Sequence, residues 1–322
     1  MARIVSIGSA LQDVYLMDRD DFTTEMGVDG KDYFDGLELG SKIDIDRVQF
    51  STGGGATNAA TTFARSGHEA IFMGCIANDP AGQAVLDALD KEGIDTSYVC
   101  YARGTVHTGY SVLLLTPSGE RTILTCRGAS AKFDMLNPKD LDLTLPDWLY
   151  VSTLRGDMEM LDKFFTKAKK LDAKIMFNPG MLELKNKRKT IGLLSDVDVL
   201  LVNKEEAQQI VPGVVLEELL SHLRSYVPTV IITDGNQGAI ASDGDKIFRV
   251  GLYEDVKVKD ATGAGDAFGS GFLAAFAAGK SLRSSLIFAS ANSTSVVRKI
   301  GAKKGIISID EKLHTMPIQE IR

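Results

Sequence analysis

The sequence predicts an α/β fold with a mainly parallel sheet and a second, smaller β-sheet. From residue 69 onward, apolar runs of strand length alternate with longer runs of helical periodicity, which is the pattern of a parallel α/β sheet. Two segments, residues 37–50 and 108–126, interrupt this alternation and have the pattern of antiparallel strands. Residues 117–120, Pro-Ser-Gly-Glu, lie between two apolar runs and are typical of a hairpin turn. Both segments are expected to join a separate small sheet.

The elements of the main body follow from apolar periodicity, taken in chain order. Strands are predicted at residues 3–10, 70–76, 148–151, 174–178, 197–202 and 229–233. Helices are predicted at residues 59–65, 81–92, 159–171, 205–210 and 216–226. Near the C-terminus the end of a further strand is expected at residues 256–259, followed by apolar helices at 269–279 and 282–299.

Composition excludes several classes of protein. With 322 residues, 44% hydrophobic and 25% charged, the chain can bury a large core as a globular protein. A net charge of −7 and the lack of a long Lys/Arg cluster argue against nucleic-acid binding. Three widely spaced cysteines suit a reducing cytoplasm and are expected to be packing residues. Without a signal sequence or a long apolar span, no membrane role is expected.

Polar residues follow several of the predicted strands. Asn178, Asn203 and Asp234 each come directly after an apolar run of parallel-strand character. Open α/β sheets bind their ligands at the carboxyl ends of the strands, so the site is expected along that edge. The small sheet, inserted between parts of the main body, is expected to cover this edge as a lid that excludes water. An added edge of the main sheet is the alternative.

Residues 260–268 form the most informative segment of the chain. Gly263, Ala264 and Gly265 are small residues at a predicted passage from strand to helix, with Asp266 directly after them. The free N–H groups of a helix start can bind a phosphate, and glycine lets the ligand approach the backbone. Asp266 could then accept a proton from an attacking hydroxyl, which predicts phosphoryl transfer. A turn whose aspartate merely caps the helix is the alternative.

A second glycine-rich turn lies at residues 53–58. Gly54 and Gly55 precede a helix of small residues, and Asn58 offers both a donor and an acceptor. No Lys or Arg lies in this turn, which favours a neutral polyol as its ligand; tight strand-to-helix packing is the alternative. Asp13, beyond the first strand, is expected at the same edge, where its carboxylate could accept hydrogen bonds from two hydroxyls.

Asn203 and Glu206 open the helix that follows the strand at 197–202. Their spacing predicts a reciprocal cap of that helix. The same carboxylate could order a water on the Mg²⁺ that accompanies a nucleoside triphosphate, and the two roles are compatible.

For two further elements, the sequence supports a structural and a functional interpretation equally. Thr233, Gly235 and Gly238 belong to a turn that either contacts a nucleotide or leads into a hairpin strand at 239–242. Asn292, in an otherwise apolar helix, either reaches a base or binds only a backbone carbonyl. The glycine spacing after residue 263 does not match the dinucleotide-binding fingerprint, and Gly279-Lys280-Ser281 lacks the first glycine of a phosphate-binding P-loop.

Taken together, these elements resemble the ribokinase-like (PfkB) carbohydrate kinases over essentially the whole chain. Residues 260–266, Asp-Ala-Thr-Gly-Ala-Gly-Asp, are similar to the family signature, and the Gly-Gly…Asn element near residue 55 is its usual companion. The resemblance implies a three-layer α/β/α sandwich with a mainly parallel central sheet and a small β-sheet lid. It implies one domain over residues 1–322, with lid segments at about 12–50 and 105–127 inserted in the core.

The resemblance also implies roles for individual residues. Asp266 would be the general base, and Gly263, Ala264 and Gly265 would supply the N–H groups of the anion hole. Asp13, Gly54, Gly55 and Asn58 match sugar-contacting positions. Nucleotide-contacting positions are matched by Asn203, Thr233, Gly235, Gly238 and Asn292.

The cofactors and partners implied by the resemblance are ATP, Mg²⁺ and a second copy of the chain. Glu206 matches the position that binds Mg²⁺ through water, and Asp260 and Thr262 match part of a site that holds a monovalent cation, K⁺, in some members. Arg298-Lys299-Ile300-Gly301 carries one residue more than the run that completes that cation site, which places K⁺ dependence in doubt. A homodimer through the lid is expected.

The substrate implied is a small sugar, ribose-like or fructose-like, phosphorylated on a hydroxymethyl group. Gly55 stands where true ribokinases usually have a lysine, which weakens ribose as the substrate. Phe22, Tyr33, Phe34 and Phe50 lie near the lid and could stack on a base, so an adenosine-like nucleoside is an alternative. A sugar- or nucleotide-binding regulatory protein without catalysis is a third possibility.

Overall fold

The structure is a computed structural model that describes residues 1–17, 24–26, 32–34, 40, 42–116, 121–251, 256–313 and 317–321. For residues 24–26 and 32–34 it describes the backbone alone. The predicted hairpin turn at 117–120 and part of the predicted segment 37–50 lie outside these residues. So does Phe22, and the side chains of Tyr33 and Phe34 are likewise outside the description.

The described residues form strands and helices in an alternating order. The strands are β1 Arg3–Ile7, β2 Leu11–Met17, β3 Thr24–Met26, β4 Asp32–Phe34, β5 Arg47–Gly53, β6 Glu69–Met73, β7 Cys75–Ile76, β8 Cys100–Tyr101, β9 Gly109–Leu115, β10 Arg121–Cys126, β11 Trp148–Val151, β12 Lys174–Phe177, β13 Val199–Asn203, β14 Thr229–Thr233, β15 Ala239–Ser242, β16 Ile247–Val250 and β17 Ile318–Ile321. The helices are α1 Gly55–Arg65, α2 Pro80–Asp90, α3 Leu141–Thr144, α4 Met158–Lys170, α5 Met181–Leu184, α6 Lys187–Leu194, α7 Lys204–Ile210, α8 Leu216–Leu223, α9 Ala264–Ala277 and α10 Leu282–Val297.

Nine of these strands form the main sheet, in the order β6-β1-β11-β12-β13-β14-β15-β16-β17. Neighbours from β6 to β14 pair in parallel, and the strands from β14 to β17 pair antiparallel. The sheet is mainly parallel, as the alternation of apolar runs predicts.

Both faces of the main sheet are buried. Along β13, Leu200 and Val202 pack in one apolar cluster with Phe164 of α4 and Leu219 of α8. Alternate residues of the same strand point to the other face. There Val199 and Leu201 pack in a second cluster, which contains Phe63 of α1 and Phe272 of α9. Because successive side chains of a strand point to opposite faces, helices cover the sheet on both sides. The predicted three-layer α/β/α sandwich is confirmed.

A separate small sheet has the order β10-β9-β2-β5. Strands β5, β9 and β10 come from the two segments that interrupt the α/β alternation in the sequence, whereas β2 precedes both segments and was not predicted as a separate strand. Strand β2 pairs parallel with β9 and antiparallel with β5, while β9 and β10 form a hairpin-like antiparallel pair. We call this the small sheet throughout.

Some predicted boundaries differ from those observed. Residues 256–259 form no strand: the N–H groups of Lys259 and Asp260 donate to Val297 O, at 2.8 and 3.2 Å, so this backbone is bound to the end of α10 rather than to a sheet. In the segment 37–50, the strand begins only at Arg47 among the residues that the structure describes. Cys126 is exposed, so the expectation that all three cysteines are packing residues is wrong for this one.

In the part of the chain that the structure describes, no helix is long and apolar enough to cross a membrane.

Candidate active site

A cavity of about 330 Å³ opens where the carboxyl ends of the parallel strands meet one face of the small sheet. Its lining contains residues after β1, β11 and β12, the N-terminal turns of α1 and α9, and side chains of β2, β9 and β10. The lining residues are Ser9, Leu11, Asp13, Gly54, Gly55, Asn58, Ser111, Leu113, Ile123, Thr125, Arg127, Ser152, Thr153, Asn178, Pro179, Gly180, Glu206, Thr262, Gly263, Asp266 and Ala302. Of the three polar residues noted at strand ends, Asn178 lines this cavity.

Asp266 and Asn58 meet at the bottom of the cavity, where the N-termini of α1 and α9 lie together. Asn58 Nδ2 donates to Asp266 Oδ2 at 2.9 Å. Burial raises the pKa of the Asp266 carboxyl, and the hydrogen bond from Asn58 and the charge of Lys303 oppose that shift. Asn58 Oδ1 is buried and has no partner among the described residues, so it is open to a hydroxyl of a bound molecule.

The glycines of the 53–55 turn allow α1 to approach both carboxylates of the cavity. Gly54 has φ 103°, and a Cβ there would lie 2.3 Å from Ser9 O, so only glycine fits. A Cβ at Gly55 would lie 3.2 Å from Asp266 Oδ1. A larger side chain at residue 55 would therefore crowd the Asp266 carboxylate.

Asp13 lies on the cavity face of the small sheet. It is opposite Ser51 of β5 and Ser111 of β9, and only 4% of its surface is exposed. Burial raises the pKa of Asp13 to about 6, although Lys303 and a hydrogen bond with Ser111 counteract part of the shift. The cavity thus contains two carboxyls, Asp13 and Asp266, whose pKa values are raised by burial.

Lys303 acts on both of these carboxyls through its charge, and little in the sequence marks it. Its Nζ donates to Thr52 Oγ1 at 2.9 Å and to Thr57 Oγ1 at 2.8 Å. Burial lowers the pKa of Lys303 to about 7, and its attraction to Asp13, to Asp266 and to Glu92 opposes this effect. The one available signal was Gly305 nearby, where a Cβ would lie 2.3 Å from Ser295 O and which therefore marks a closely packed segment.

Gly263 begins the turn that leads into α9 and Asp266. It has φ 79°, and a Cβ there would lie 2.5 Å from the Cβ of Ala302. A Cβ at Gly265 would meet nothing within 4 Å, so this position stays open above the helix N-terminus. The backbone N–H groups of Ala264 and Gly265 belong to the first turn of α9, where a helix can bind an anion.

We expect Gly263→Ala to destabilise the fold and to impair the site, whereas Gly279→Ala should only destabilise it slightly. Gly279 has nearly the same φ, 78°, but a Cβ there meets nothing within 4 Å. Both variants carry the strain of a left-handed alanine, about 1 kcal/mol. Only Gly263→Ala adds a clash with Ala302, which costs roughly a further 1–3 kcal/mol. Urea unfolding of both variants measures the difference, and equal losses of stability would contradict the clash.

Asn203 and Glu206 form the predicted reciprocal cap of α7. Asn203 Oδ1 accepts from the N–H of Glu206 at 2.8 Å, and Glu206 Oε2 accepts from the N–H of Asn203 at 2.9 Å. Burial raises the pKa of Glu206, whose side chain lines the cavity. The capping role is therefore observed, and the carboxylate remains at the cavity as well.

None of the predicted nucleotide-contacting residues lines this cavity. Thr233 ends β14, and Gly235 and Gly238 lie in the turn between β14 and β15, which pair antiparallel, so the predicted hairpin is observed and a nucleotide contact there stays a prediction. Asn292 is fully buried: its Nδ2 donates to Ala267 O at 2.8 Å and its Oδ1 accepts from Ile307 N at 3.0 Å. Both ends of its amide bind backbone, as in the structural alternative.

Asp260 and Thr262 lie behind the glycine turn. Asp260 is fully buried, and its two oxygens accept from the backbone N–H groups of Thr262, at 2.9 Å, and Gly301, at 3.0 Å. Thr262 Oγ1 accepts from Arg121 Nε of β10 at 3.2 Å. The carboxylate thus holds the turn in place and joins it to the chain after α10.

Comparisons with known proteins agree with this geometry. A sequence model of the pfkB family carbohydrate kinases matches residues 1–308. A ribokinase from Haemophilus influenzae is 27% identical over 283 residues, which cover 85% of this chain and 90% of the relative. The structure of an Arabidopsis thaliana ribokinase complexed with ribose and ATP superposes with a TM-score of 0.78 and 23% identity, over 95% of this chain and 96% of that one.

A nucleoside kinase from Methanocaldococcus jannaschii, an archaeal member of the ribokinase family, has the same fold with a TM-score of 0.78 and 22% identity, over 96% of both chains. Because the family model covers nearly the whole chain, the chain belongs to the pfkB family of carbohydrate kinases, phosphotransferases that act on sugar hydroxyl groups.

Proposed function

We propose that this kinase transfers the γ-phosphate of ATP to a hydroxymethyl group of a small sugar, with Asp266 as the general base. The observation that carries the proposal is the position of Asp266. It lies in the first turn of α9, directly after the glycine turn, and it faces the cavity beside Asn58. A hydroxyl bound there would have a proton acceptor and an anion-binding helix start on the same side.

Different residues of the chain perform different steps of the proposed reaction. Asp13 and Asn58 bind and orient the sugar hydroxyls, and Asp266 accepts the proton of the attacking one. The N–H groups at 263–265 hold the transferring phosphoryl group. The small sheet covers the reacting groups as a lid, because side chains from β2, β9 and β10 form one wall of the cavity.

The residues at the cavity fit the Mg²⁺ that accompanies ATP. Mg²⁺ keeps several waters in proteins and needs only one or two carboxylates besides the phosphates. Glu206 offers such a carboxylate at the cavity, with Oε2 bound to the backbone of Asn203. When bound, the ion would neutralise charge on the phosphates. The monovalent cation expected at Asp260 and Thr262 stays a prediction, which assays with and without K⁺ test.

A sugar is favoured over a nucleoside by the cavity wall. Among the described residues, no aromatic side chain lines the cavity on which a base could stack. Phe50 points away from it and is 64% exposed. The lining is instead rich in hydroxyl, amide and carboxyl groups, which suit a polyol.

The test is ADP release with Mg-ATP and a panel of ribose, fructose, ketodeoxygluconate, fructose phosphates and adenosine. Turnover of a sugar supports the proposal. Turnover of adenosine alone would support a nucleoside kinase instead. Saturable binding of a sugar or nucleotide without ADP release from any compound would support a regulatory protein.

We further propose a homodimer through the outer face of the small sheet. The strand register aligns Phe50, Val14, Val112 and Leu124 in one row across the four strands. Phe50 and Leu124 are 64% and 59% exposed in the single chain. Val14 and Val112 between them are partly exposed, and a contiguous apolar row of this kind on a sheet face is typical of an interface.

We expect the wild-type protein to sediment with twice the 34.8 kDa mass of one chain, and Leu124→Glu to sediment as a monomer. The charge would be desolvated in the interface but would be harmless in a monomer. Leu143→Glu is the matched control, since Leu143 is 70% exposed and lies in α3, outside the small sheet. A wild-type monomer, or a dimer that tolerates Leu124→Glu, would refute the interface.

A further inference from the structure

The cavity contains one basic side chain that the proposed mechanism does not use. Arg127 follows β10 and is the one Lys or Arg among the described lining residues; the lining carboxyls, Asp13, Glu206 and Asp266, all have roles in the proposed reaction. A neutral sugar would give the Arg127 guanidinium no charged partner. Arg127 is therefore a cation at the cavity wall that is free to bind a charged part of the substrate.

The guanidinium of Arg127 has no counterion among the described residues. No ion pair or side-chain hydrogen bond of Arg127 is found there. The nearest charge that affects it is of the same sign. Burial, together with repulsion from Arg155, lowers the pKa of Arg127. Two like charges near one cavity wall create a positive potential that an anion would relieve.

Arg155 is exposed, its backbone is fixed by a hydrogen-bonded loop, and its side chain has no counterion among the residues that the structure describes. It has φ 58°, a left-handed conformation that is unfavourable for an arginine. Its N–H donates to Thr153 Oγ1 at 3.0 Å, and Thr153 Oγ1 in turn donates to the fully buried carboxylate of Glu183. Glu183 also accepts from the N–H groups of Gly156 and Gly180. The Glu183 carboxylate thus accepts its hydrogen bonds from groups of this loop and does not form an ion pair with Arg155.

Arg127 lies at a suitable distance from the sugar-binding end of the cavity. Thr125 of β10 is opposite Ser111 of β9, and Ser111 is opposite Asp13 of β2. Arg127 is two residues beyond Thr125. Two strand spacings and two residue rises separate the Cα atoms of Asp13 and Arg127 by about 12 Å. A six-carbon chain whose hydroxyls bind near Asp13 can extend to the guanidinium with its far end.

We propose that the acceptor sugar carries an anionic group, a carboxylate or a phosphate, which binds Arg127 with Arg155 beside it. The inference rests on the proposed function, since it assigns the substrate class of the same site. A planar guanidinium binds either anion with two parallel hydrogen bonds, so both sources share one chemistry. The carboxyls deeper in the cavity would repel an anion there, which directs the charged end to the arginines and the hydroxymethyl end to Asp266.

The experiment compares sugars in matched pairs, one neutral and one anionic, each with a free hydroxymethyl group. Fructose is paired with fructose 6-phosphate, and glucose is paired with gluconate; ketodeoxygluconate is a second sugar acid. ADP release gives kcat/KM for each compound, and calorimetry gives its Kd in the absence of turnover. The proteins are wild type, Arg127→Met, Arg127→Lys, Arg155→Met and the control Arg103→Met. Arg103 is exposed and does not line the cavity.

We expect wild type to prefer the anionic member of at least one pair. Arg127→Met should lower kcat/KM for that compound by about 10- to 100-fold, the usual effect of losing a hydrogen bond to a charged group. It should leave the KM for ATP and the weak use of the neutral sugar unchanged. Arg127→Lys should recover part of the loss, and Arg103→Met should have no effect. A preference for fructose 6-phosphate over fructose identifies the anionic group as a phosphate, and a preference for gluconate over glucose identifies it as a carboxylate.

Three outcomes would overturn the inference. A neutral sugar that is the better substrate, together with no effect of Arg127→Met, would overturn it and would leave the kinase proposal intact. An Arg127→Met effect that falls on the KM for ATP would assign the arginine to the nucleotide. Equal or absent binding of both members of every pair would also refute an anion site, whether or not ADP is released. Absence of ADP release with every sugar, in contrast, counts against the proposed function.

Discussion

Asp266→Asn is expected to lower kcat by about 10²- to 10⁴-fold, the usual contribution of a general base, while ATP binding and the fold are retained. Asparagine has nearly the same shape and can still accept the hydrogen bond that Asn58 Nδ2 makes at 2.9 Å. It cannot take a proton from the attacking hydroxyl. A coupled assay of ADP release, with ATP binding measured by calorimetry, separates the lost chemistry from lost binding.

Asp13→Asn is the matched control, because both carboxyls face the same cavity and the pKa of each is raised by burial. If Asp13 binds the sugar and Asp266 performs the chemistry, Asp13→Asn should mainly raise the KM for the sugar. Asp266→Asn should mainly lower kcat. Equal changes of kcat in the two variants, or full activity of Asp266→Asn, would remove Asp266 from the role of base.

The control variant also has a defined effect on stability. Burial raises the pKa of Asp13 from 3.8 to about 6, so the folded state holds this proton more tightly than the unfolded state between those pH values. Stability from this group is present below pH 3.8 and is lost as the pH rises through 6. Asp13→Asn should therefore be at least as stable as wild type at pH 7, so a loss of sugar affinity cannot be ascribed to unfolding.

The main sheet could be predicted because its strands are buried on both faces. Continuous apolar runs such as Trp148–Val151 and Thr229–Thr233 have few alternatives to parallel strands, and both were predicted with the observed bounds. Residues 256–259 show where prediction of strands from apolar periodicity fails. Their alternating pattern resembles a strand, but the backbone there binds Val297 O at the end of α10, a partner that lies about 40 positions away in sequence.

The site was predictable where the backbone imposes a residue type. Gly54 and Gly263 have positive φ and no room for a Cβ, so they leave a visible glycine pattern beside Asn58 and Asp266. Lys303 and Arg127 leave no such pattern. A lysine or an arginine in a polar segment is usually solvated, and only the folded chain brings Arg127 into the cavity lining and Lys303 against Thr52 and Thr57 beside it.

Lys303 is the basic group closest to the proposed chemistry, since its charge acts on both cavity carboxyls. It lowers the pKa of Asp266 and of Asp13, against the effect of burial. Its own pKa is lowered by burial to about 7. The three groups therefore titrate as a coupled set, and the active form has Asp266 ionised, which a protonated Lys303 favours. Wild-type kcat/KM is expected to rise as Asp266 ionises, and deprotonation of Lys303 as the pH passes through about 7 should oppose that rise, because the ammonium charge then no longer lowers the pKa of Asp266.

Lys303→Met should move the acid limb of this profile to higher pH. Without the ammonium group the pKa of Asp266 rises further, and each unit by which it exceeds the assay pH lowers the ionised fraction about tenfold. At pH 7 we therefore expect kcat/KM of Lys303→Met to be lower than that of wild type. Activity should return in part at higher pH, a recovery that a merely misfolded variant would not show.

Lys304→Met is the control for this profile, because Lys304 is the exposed neighbour of Lys303 and makes no bond in the cavity among the described residues. Its pH profile should match that of wild type. An acid limb that stays in place would mean that Lys303 does not act on Asp266, and its bonds to Thr52 and Thr57 would then serve only to join the segment after α10 to the start of α1.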